Sequence, residues 1–550
     1  MKKNKKFEHL FSLDPIGAFT KIEEDYIRYF KAAFKLKKNK NLDDKRIKEL
    51  KKGDVMSKKP YIELLPEYSP AVNVKSFDDL ADKFSHAFGD KSIALTFFND
   101  FIAKGLMNYL PYGHQVGMME KAFAGMDERG NNLKYKNTVI TSGTGSGKTE
   151  SFLLPLLADI FKETKSWRPI EIDHKNWFKG VTETETTRRG NTNIFQRYTP
   201  CQREGDPRPA AIRALLIYPM NALVEDQMAR LREALDCDEV RSFMDSHLNG
   251  NRIYFGSYKG STIAPKSYDI IMSNNKQGIR ENVVKELEEI HKNYMSICRY
   301  IEQDPDGKKD AQYVSPRLGE DEQSLTSEMI TRWDMQKWAP DILITNTSML
   351  SIMLMREAEE QIFEDTRKWL AAEDLPENER EEAKKGRVFH IVVDELHLYR
   401  GTAGSEVACL LRMLYNALGL RPVVPVIIDG KEYKIPNPQI KILASSASLG
   451  DEEQTEKFME EFFGIYSTIE GEKVFNIQSG SNYNGEDKTL ELDYTKFSFF
   501  THDNFVALDI DADTPEKKDE VAMQRLERIN KFVQDEFNVT DICKFIIAVR

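Results

Sequence analysis

Cysteine is scarce in this sequence. There are five in 550 residues, Cys201, Cys237, Cys298, Cys409 and Cys543, far apart and without a CxxC pair. That excludes a disulfide framework and a zinc ribbon within the chain. Long apolar runs are missing as well: no stretch approaches the roughly 18 consecutive apolar residues of a membrane span. The N-terminus, MKKNKKFEHLFSLDP, is basic but lacks the apolar h-region of a signal peptide. Positive charge is short overall, the net being −11, so nothing draws the whole molecule toward nucleic acid. Any such contact has to be local, made by backbone amides, hydroxyls and a few placed basic residues. These absences predict a cytoplasmic protein with no membrane contact. What the chain does have is apolar material, 40% of 550 residues, enough for two to four domains.

The most informative stretch is Thr141–Glu150, TSGTGSGKTE. It follows the apolar run Thr138-Val139-Ile140 and precedes Ser151-Phe152-Leu153-Leu154-Pro155-Leu156-Leu157, a buried strand running into a helix. Gly143, Gly145 and Gly147 let the backbone curl so that successive N–H groups face one concavity. A phosphate chain fits there, helped by the positive end of the helix that follows. Lys148 would reach the β- and γ-phosphates and the Thr149 hydroxyl would bind Mg²⁺. Thr144, Ser146 and Glu150 complete the segment expected to hold the nucleotide. Ser142 stands where the usual pattern opens with glycine.

Before this loop, residues 1–100 read as a helical N-terminal domain, with Ile22, Tyr26, Ile27, Phe30, Ala33 and Phe34 at helical spacing. Lys31–Lys59 holds twelve basic and four acidic residues, either a solvated lysine-rich helix and loop or a patch facing nucleic acid. In Asn108–Gln115, NYLPYGHQ, the Gln115 amide is able to pair with an adenine edge, and Tyr112 to stack on the ring. After the loop, buried-type strands are expected at Ala214–Tyr218, Arg252–Phe255, Asp341–Ile344, Val388–Val393 and Ile440–Ala444, with Val474–Ile477 closing the unit. Polar insertions at about 164–210 and 263–335 interrupt the series. The second carries an amphipathic helix with Ile279, Val283, Leu287, Ile290, Tyr294, Ile297 and Ile301 on one face. Asp429-Gly430 marks a hairpin turn.

Strands alternating with helices, each strand ending in polar residues, predict an α/β fold with a doubly wound, mainly parallel sheet. Asp394-Glu395-Leu396-His397 at such a strand end is the partner of the glycine loop. Asp394 would hold Mg²⁺ through water, Glu395 would orient and deprotonate the attacking water, and His397 would link the γ-phosphate to neighbouring segments.

In order along the chain, GTGSGKTE, YPMNALVEDQ, DILITNTSML, VVDELHLYRG and SSASL resemble motifs I, Ia, Ic, II and III of the superfamily 2 helicases. GSYKGST resembles motif Ib and YGHQ the adenine-reading motif; the resemblance covers about residues 105–480. RWDMQ at 332–336, YRGTAGSEVACLLRML at 399–414 and PYIELLPEY at 60–68 look like the large bacterial DEAD/DEAH-box DNA helicases. That group includes MrfA-like repair enzymes and helicases of the anti-phage systems DISARM, Druantia and Dpd. The resemblance implies a RecA-like P-loop NTPase lobe over 101–480 that uses ATP and Mg²⁺. It further implies that Asn221, Ser257, Thr262, Thr345 and Asn346 touch the backbone of a nucleic-acid strand, DNA before RNA. Ser446 and Ser448 would couple nucleotide state to lobe movement. Arg400 is left between pairing with an acid and reaching a phosphate.

One departure stands out: nothing after Ser448 resembles the arginine-bearing motif VI of a second RecA-like lobe. Residues 481–550 therefore read as a linker or the start of a following domain. The second lobe is expected elsewhere, in the rest of a longer polypeptide or on a partner subunit. An RNA helicase, or a nucleotide-dependent switch subunit that does not unwind by itself, are the competing functions.

Overall fold

The computed structural model describes residues 68–480 apart from 128, 144, 171–175, 187–188, 275, 303–308, 320–324 and 448–451, with shorter pieces in 22–51 and 523–535. By contacts the chain divides into two units, residues 68–482 and the combination of 1–67 with 483–550. In the second of these, Lys40–Leu50 is an α-helix whose Lys45 and Lys48 are exposed, the lysine-rich helix expected there. Residues 32–39 and 52–59, and most of 481–550, lie outside the described residues. No helix among the described residues is long and apolar enough to cross a membrane.

The unit 68–482 is built on a seven-stranded sheet. Its strands are β1 (Asn137–Thr141), β2 (Ala214–Tyr218), β3 (Phe255–Tyr258), β4 (Ile342–Asn346), β5 (Phe389–Val393), β6 (Ile440–Ser446) and β7 (Phe475–Ser479). They stand in the order β7-β1-β6-β5-β2-β4-β3, every neighbouring pair parallel. The α/β doubly wound sheet is thus present, with β7 as an added edge strand. Successive strand residues face opposite sides, and both sides are covered. Ile140, Leu216, Ile344, Val392 and Leu443 point into one core, Val139, Leu215, Leu343, Ile391 and Ala444 into the other. Burial on both faces explains why these strands read as continuous apolar runs rather than alternating ones.

Three expectations shift. The third strand forms at 255–258 rather than 252–255, because Arg252 and Tyr254 are held from outside the ladder. Arg252 Nε donates to Leu325 O at 2.8 Å, and Tyr254 N donates to Asp341 Oδ2 at 2.8 Å. The boundary expected near residue 100 falls inside the sheet unit. Helix α1 (Phe77–Phe88) and the π-helical turn Thr96–Ile102 pack onto the helix after β1, with Phe97 and Phe101 rings 5.2 and 5.4 Å from Phe161. The two insertions, read separately, share one small core in which Trp177, Phe178 and Tyr198 of the first meet Val283, Leu287 and Trp333 of the second. The hairpin is as expected: Val423–Ile428 pairs with Lys431–Pro436, and Asp429 and Gly430 both have positive φ (49° and 76°), the turn that suits twisted strands.

Candidate nucleotide site and strand-end loops

Parallel strands place all their carboxyl ends on one edge, where α/β sheets bind ligands. Because β6 lies between β1 and β5, the loops after these three strands are neighbours. They carry the glycine loop with Lys148, then Ser445-Ser446, then Asp394-Glu395. Residues about 250 apart in sequence therefore meet. Lys148 Nζ lies 3.3 Å from Glu395 Oε1, and both side chains are largely buried.

The glycine loop adopts the predicted curl. Gly145 and Gly147 have φ of 74° and 72°, a region closed to most other residues. Ser146 Oγ donates to Gly143 O at 2.9 Å and shares a 2.6 Å hydrogen bond with Ser142 Oγ. Ser142 thus does loop-closing work that a glycine cannot. Helix α2 (Gly113–Met119) braces the loop from below: His114 Nε2 is 2.7 Å from Ser146 O, and Gln115 Nε2 donates to Gly147 O at 3.1 Å. Burial lowers the His114 pKa, which keeps the ring neutral. Thr149 is the second residue of helix α3 (Lys148–Glu163) and is partly exposed at the same edge. Thr144 lies outside the described residues.

Opposite the loop, Asp394 Oδ1 accepts from Ser445 Oγ and from Glu395 N, the latter at 2.9 Å. Burial raises the Asp394 pKa and the Ser445 hydrogen bond opposes it. Glu395 sits at φ 52°, ψ 47°, a left-handed conformation rare for a residue with a side chain. Such strain persists where surrounding structure imposes it, commonly at functional positions. Glu395 Oε2 is buried without a hydrogen-bond partner, 3.3 Å from His397 Nδ1, which in turn is 3.4 Å from Ser446 Oγ. Ser448 lies outside the described residues. Arg400 is exposed and rests 5.9 Å over the Phe458 ring.

Three expected side chains are placed differently. Gln115 is fully buried and its amide is committed to backbone, Oε1 accepting from Tyr112 N at 2.8 Å, so it braces the loop instead of reading a base edge. Tyr112 stacks on His114, ring centroids 5.6 Å apart. Glu150 spans from the loop to helix α4 (Asn221–Asp236): its Oε1 accepts from Arg230 Nη1 at 2.6 Å, while its Oε2 lies against Gly147.

The other half of the edge belongs to β2, β4 and β3. Asn346 caps the helix that follows β4, its Oδ1 accepting from Met349 N at 2.7 Å, and its Nδ2 donates to Asn221 Oδ1 at 2.6 Å. Asn221 is exposed, and Asn346 and Ser257 partly so. Thr345 and Thr262 are buried: Thr345 Oγ1 donates to Tyr258 O at 2.7 Å and Thr262 Oγ1 to Ser257 O at 2.9 Å. Their hydroxyls shape the loops and do not reach a strand lying over them. Two residues escaped the sequence reading. Ser445, beside the expected Ser446, donates to Asp394; strand periodicity, which fixes the side each serine faces, is the signal that separates them. Tyr68, the last residue of PYIELLPEY, was read only as part of that segment, and its ring stands edge-on to His114 at 5.1 Å.

Residues 128–301 match the family model of the DEAD/DEAH box helicases. The match contains the glycine loop and stops before Asp394-Glu395, which the sheet itself delivers to Lys148. Among curated proteins, the chain is 28% identical over 490 residues to the Druantia protein DruE of Escherichia coli (strain UMEA 4076-1), covering 84% of this chain and 22% of that relative. The chain thus spans about a fifth of the length of the relative it matches. Two solved structures of the DUF1998 helicase MrfA are similar. The one bound to DNA has 17% identity and a TM-score of 0.33, over 76% of this chain and 32% of that one. The one bound to DNA and AMPPNP has 15% identity and a TM-score of 0.32, over 78% and 33%. Residues 128–301, which include the glycine loop, are thus similar to a DEAD/DEAH box helicase domain.

Proposed function

We propose that this chain is the ATP-binding lobe of a DNA translocase or helicase. The observation that carries the reading is the 3.3 Å approach of Lys148 to Glu395, with Asp394 beside it, on one sheet edge. The residues suit Mg-ATP. Lys148 offers a cation, Thr149 a hydroxyl and Asp394 a carboxylate, and Glu395 Oε2 is a buried acceptor with no hydrogen-bond partner. At Gly147 an added Cβ would meet Gln115 Nε2 at 2.3 Å, so the cradle tolerates only backbone there. Bound Mg²⁺ would neutralise charge developing on the phosphates.

In this reading the N–H groups of the glycine loop and Lys148 position the triphosphate, and the helix α3 N-terminus adds its dipole. Lys148 leaves Glu395 for the β- and γ-phosphates, which frees Glu395 to take a proton from the attacking water. His397 and Ser446 then report the state of the γ-phosphate. On the other half of the edge, Asn221, Ser257, Asn346 and backbone amides hold phosphates of one strand without reading its sequence. Arginines of a second RecA-like lobe, in the same polypeptide or on a partner, would complete the site; where such residues have been separated from their sites they are worth about 10³–10⁵ in rate. Alone, the chain would bind Mg-ATP weakly and turn it over very slowly. A role in anti-phage defence or DNA repair rests on the family resemblance.

The test is ATP turnover and unwinding of a tailed duplex, with the chain alone and joined to a second lobe, on DNA and on RNA of the same sequence. Nucleic-acid-stimulated turnover and unwinding only in the joined form, on DNA, are expected. A preference for RNA would make it an RNA helicase. Stimulated turnover without unwinding would make it a switch, and robust unwinding by the chain alone would refute the need for a second lobe.

A further inference from the structure

Glu150 is the third residue of helix α3, directly after Lys148-Thr149, yet its carboxylate serves neither phosphate nor metal in the arrangement above. It is 7% exposed. One oxygen, Oε1, accepts from Arg230 Nη1 at 2.6 Å. The other, Oε2, has no hydrogen-bond partner and lies 3.1 Å from the point a Cβ on Gly147 would occupy. The Gln115 amide nitrogen is 2.3 Å from that same point and donates to Gly147 O. The carboxylate is therefore packed against the last glycine of the loop, and any shift of that glycine is felt by it.

Arg230 stands in the middle of helix α4 and also bonds Asp226 Oδ2 at 3.2 Å. Helix α4 begins at Asn221, whose side chain bonds Asn346 on the strand-end loops. Nine residues at about 1.5 Å rise put Arg230 about 13 Å along the helix from Asn221. Val224, Gln227, Met228 and Leu231 bury one side of that span. At one end of this path is the phosphate loop, at the other the surface read above as facing a nucleic-acid strand. A carboxylate this buried is costly to leave without its cation, here an arginine whose own side chain is 41% exposed.

We propose that the Glu150–Arg230 pair couples nucleotide binding to strand binding within this one lobe. Arg230 is a positioning residue: it carries displacement of the Gly143–Gly147 loop through helix α4 to the Asn221–Asn346 pair. The proposal rests on the nucleotide and nucleic-acid reading above. Two ligands joined this way change each other's affinity by one common factor.

The experiment measures, on the full chain, the affinity for a non-hydrolysable ATP analogue with Mg²⁺, with and without saturating single-stranded DNA. Native chain, Arg230→Met and Arg230→Lys are compared; methionine keeps much of the aliphatic stem and removes the charge. The native chain should show a coupling factor of roughly 5–150. Arg230→Met should bring that factor close to one while each ligand alone binds as it does to the native chain, and Arg230→Lys should recover part of it. An unchanged factor in Arg230→Met would overturn the proposal. So would loss of either ligand alone in that variant, since the pair would then build a site instead of joining two. A native chain that binds both ligands without coupling also sinks it, leaving the functional reading intact. A native chain that binds neither removes both.

Discussion

The carboxyl edge of the sheet has two halves of opposite character. Over β1, β6 and β5 the groups are charged, buried and in mutual contact: Lys148 against Glu395, Asp394 against Ser445, Glu395 in a left-handed conformation. Over β2, β4 and β3 amides and hydroxyls bond to one another, as Asn221 to Asn346 and Thr345 to Tyr258 O, and the charges beside them are paired or bonded to backbone, Lys259 to Glu225 and Arg332 to Lys259 O. Phosphoryl transfer depends on charge placed in advance, whereas a strand read through its backbone needs a shaped surface of donors. In the proposed reading one scaffold serves both, because parallel strands deliver every loop to the same edge.

The contrast is broken most severely on the charged half. Lys148→Ala removes charge-assisted hydrogen bonds worth about 1.5–3 kcal/mol. Titration with a fluorescent nucleotide should show affinity falling by about 10–100-fold, with nucleic-acid binding retained. A loss of nucleic-acid binding of the same size would mean that the two halves are not separable.

A second effect belongs to the far end of helix α4, away from both halves. Asp236 is buried, and desolvation raises its pKa to about 6 although Arg241 and the Ser327 amide pull it down. A carboxylate with a raised folded pKa gives stability that is full below the unfolded value near 4 and lost as pH rises through 6. Asp236→Asn should flatten that loss, leaving the variant about 2–3 kcal/mol less penalised at pH 7. Thermal melts of both proteins at pH 4 and pH 7 check it.

On the neutral half the effects are smaller. Thr345→Val leaves Tyr258 O without its donor and should cost about 1–3 kcal/mol in a denaturant titration, while nucleotide affinity stays unchanged. Asn346→Ala removes a helix cap and should cost about 1 kcal/mol. If neutral donors make most of the contacts in the proposed reading, few counterions leave the strand on binding. The slope of log K against log salt should then correspond to only a few phosphates. A slope corresponding to eight or ten would place a basic surface at the interface instead.

What the sequence made legible follows the same division. That Lys148, Asp394 and Glu395 would meet on one sheet edge was readable because phosphate chemistry permits few residue types at that spacing, and strands buried on both faces announce themselves as apolar runs. The roles of Gln115, Glu150, Thr262 and Thr345 were not. Each carries a group suited to a ligand, and only the folded neighbours decide whether that group is already taken: Tyr112 N and Gly147 O for Gln115, Arg230 for Glu150, Ser257 O and Tyr258 O for the threonines. The shared core of the two insertions was hidden for a related reason. Trp177 and Trp333 stand far apart in a sequence whose polar composition there suggests no core, and only tertiary contact joins them.

The central claim is that Lys148 and Glu395 face each other across one ATP site, with Glu395 as the base. It is tested most directly by Glu395→Gln in the chain joined to its second lobe, measuring Mg-ATP affinity and turnover together. Affinity close to native with turnover reduced by about 10²–10⁴ is the expected result. Turnover at the native rate would contradict it.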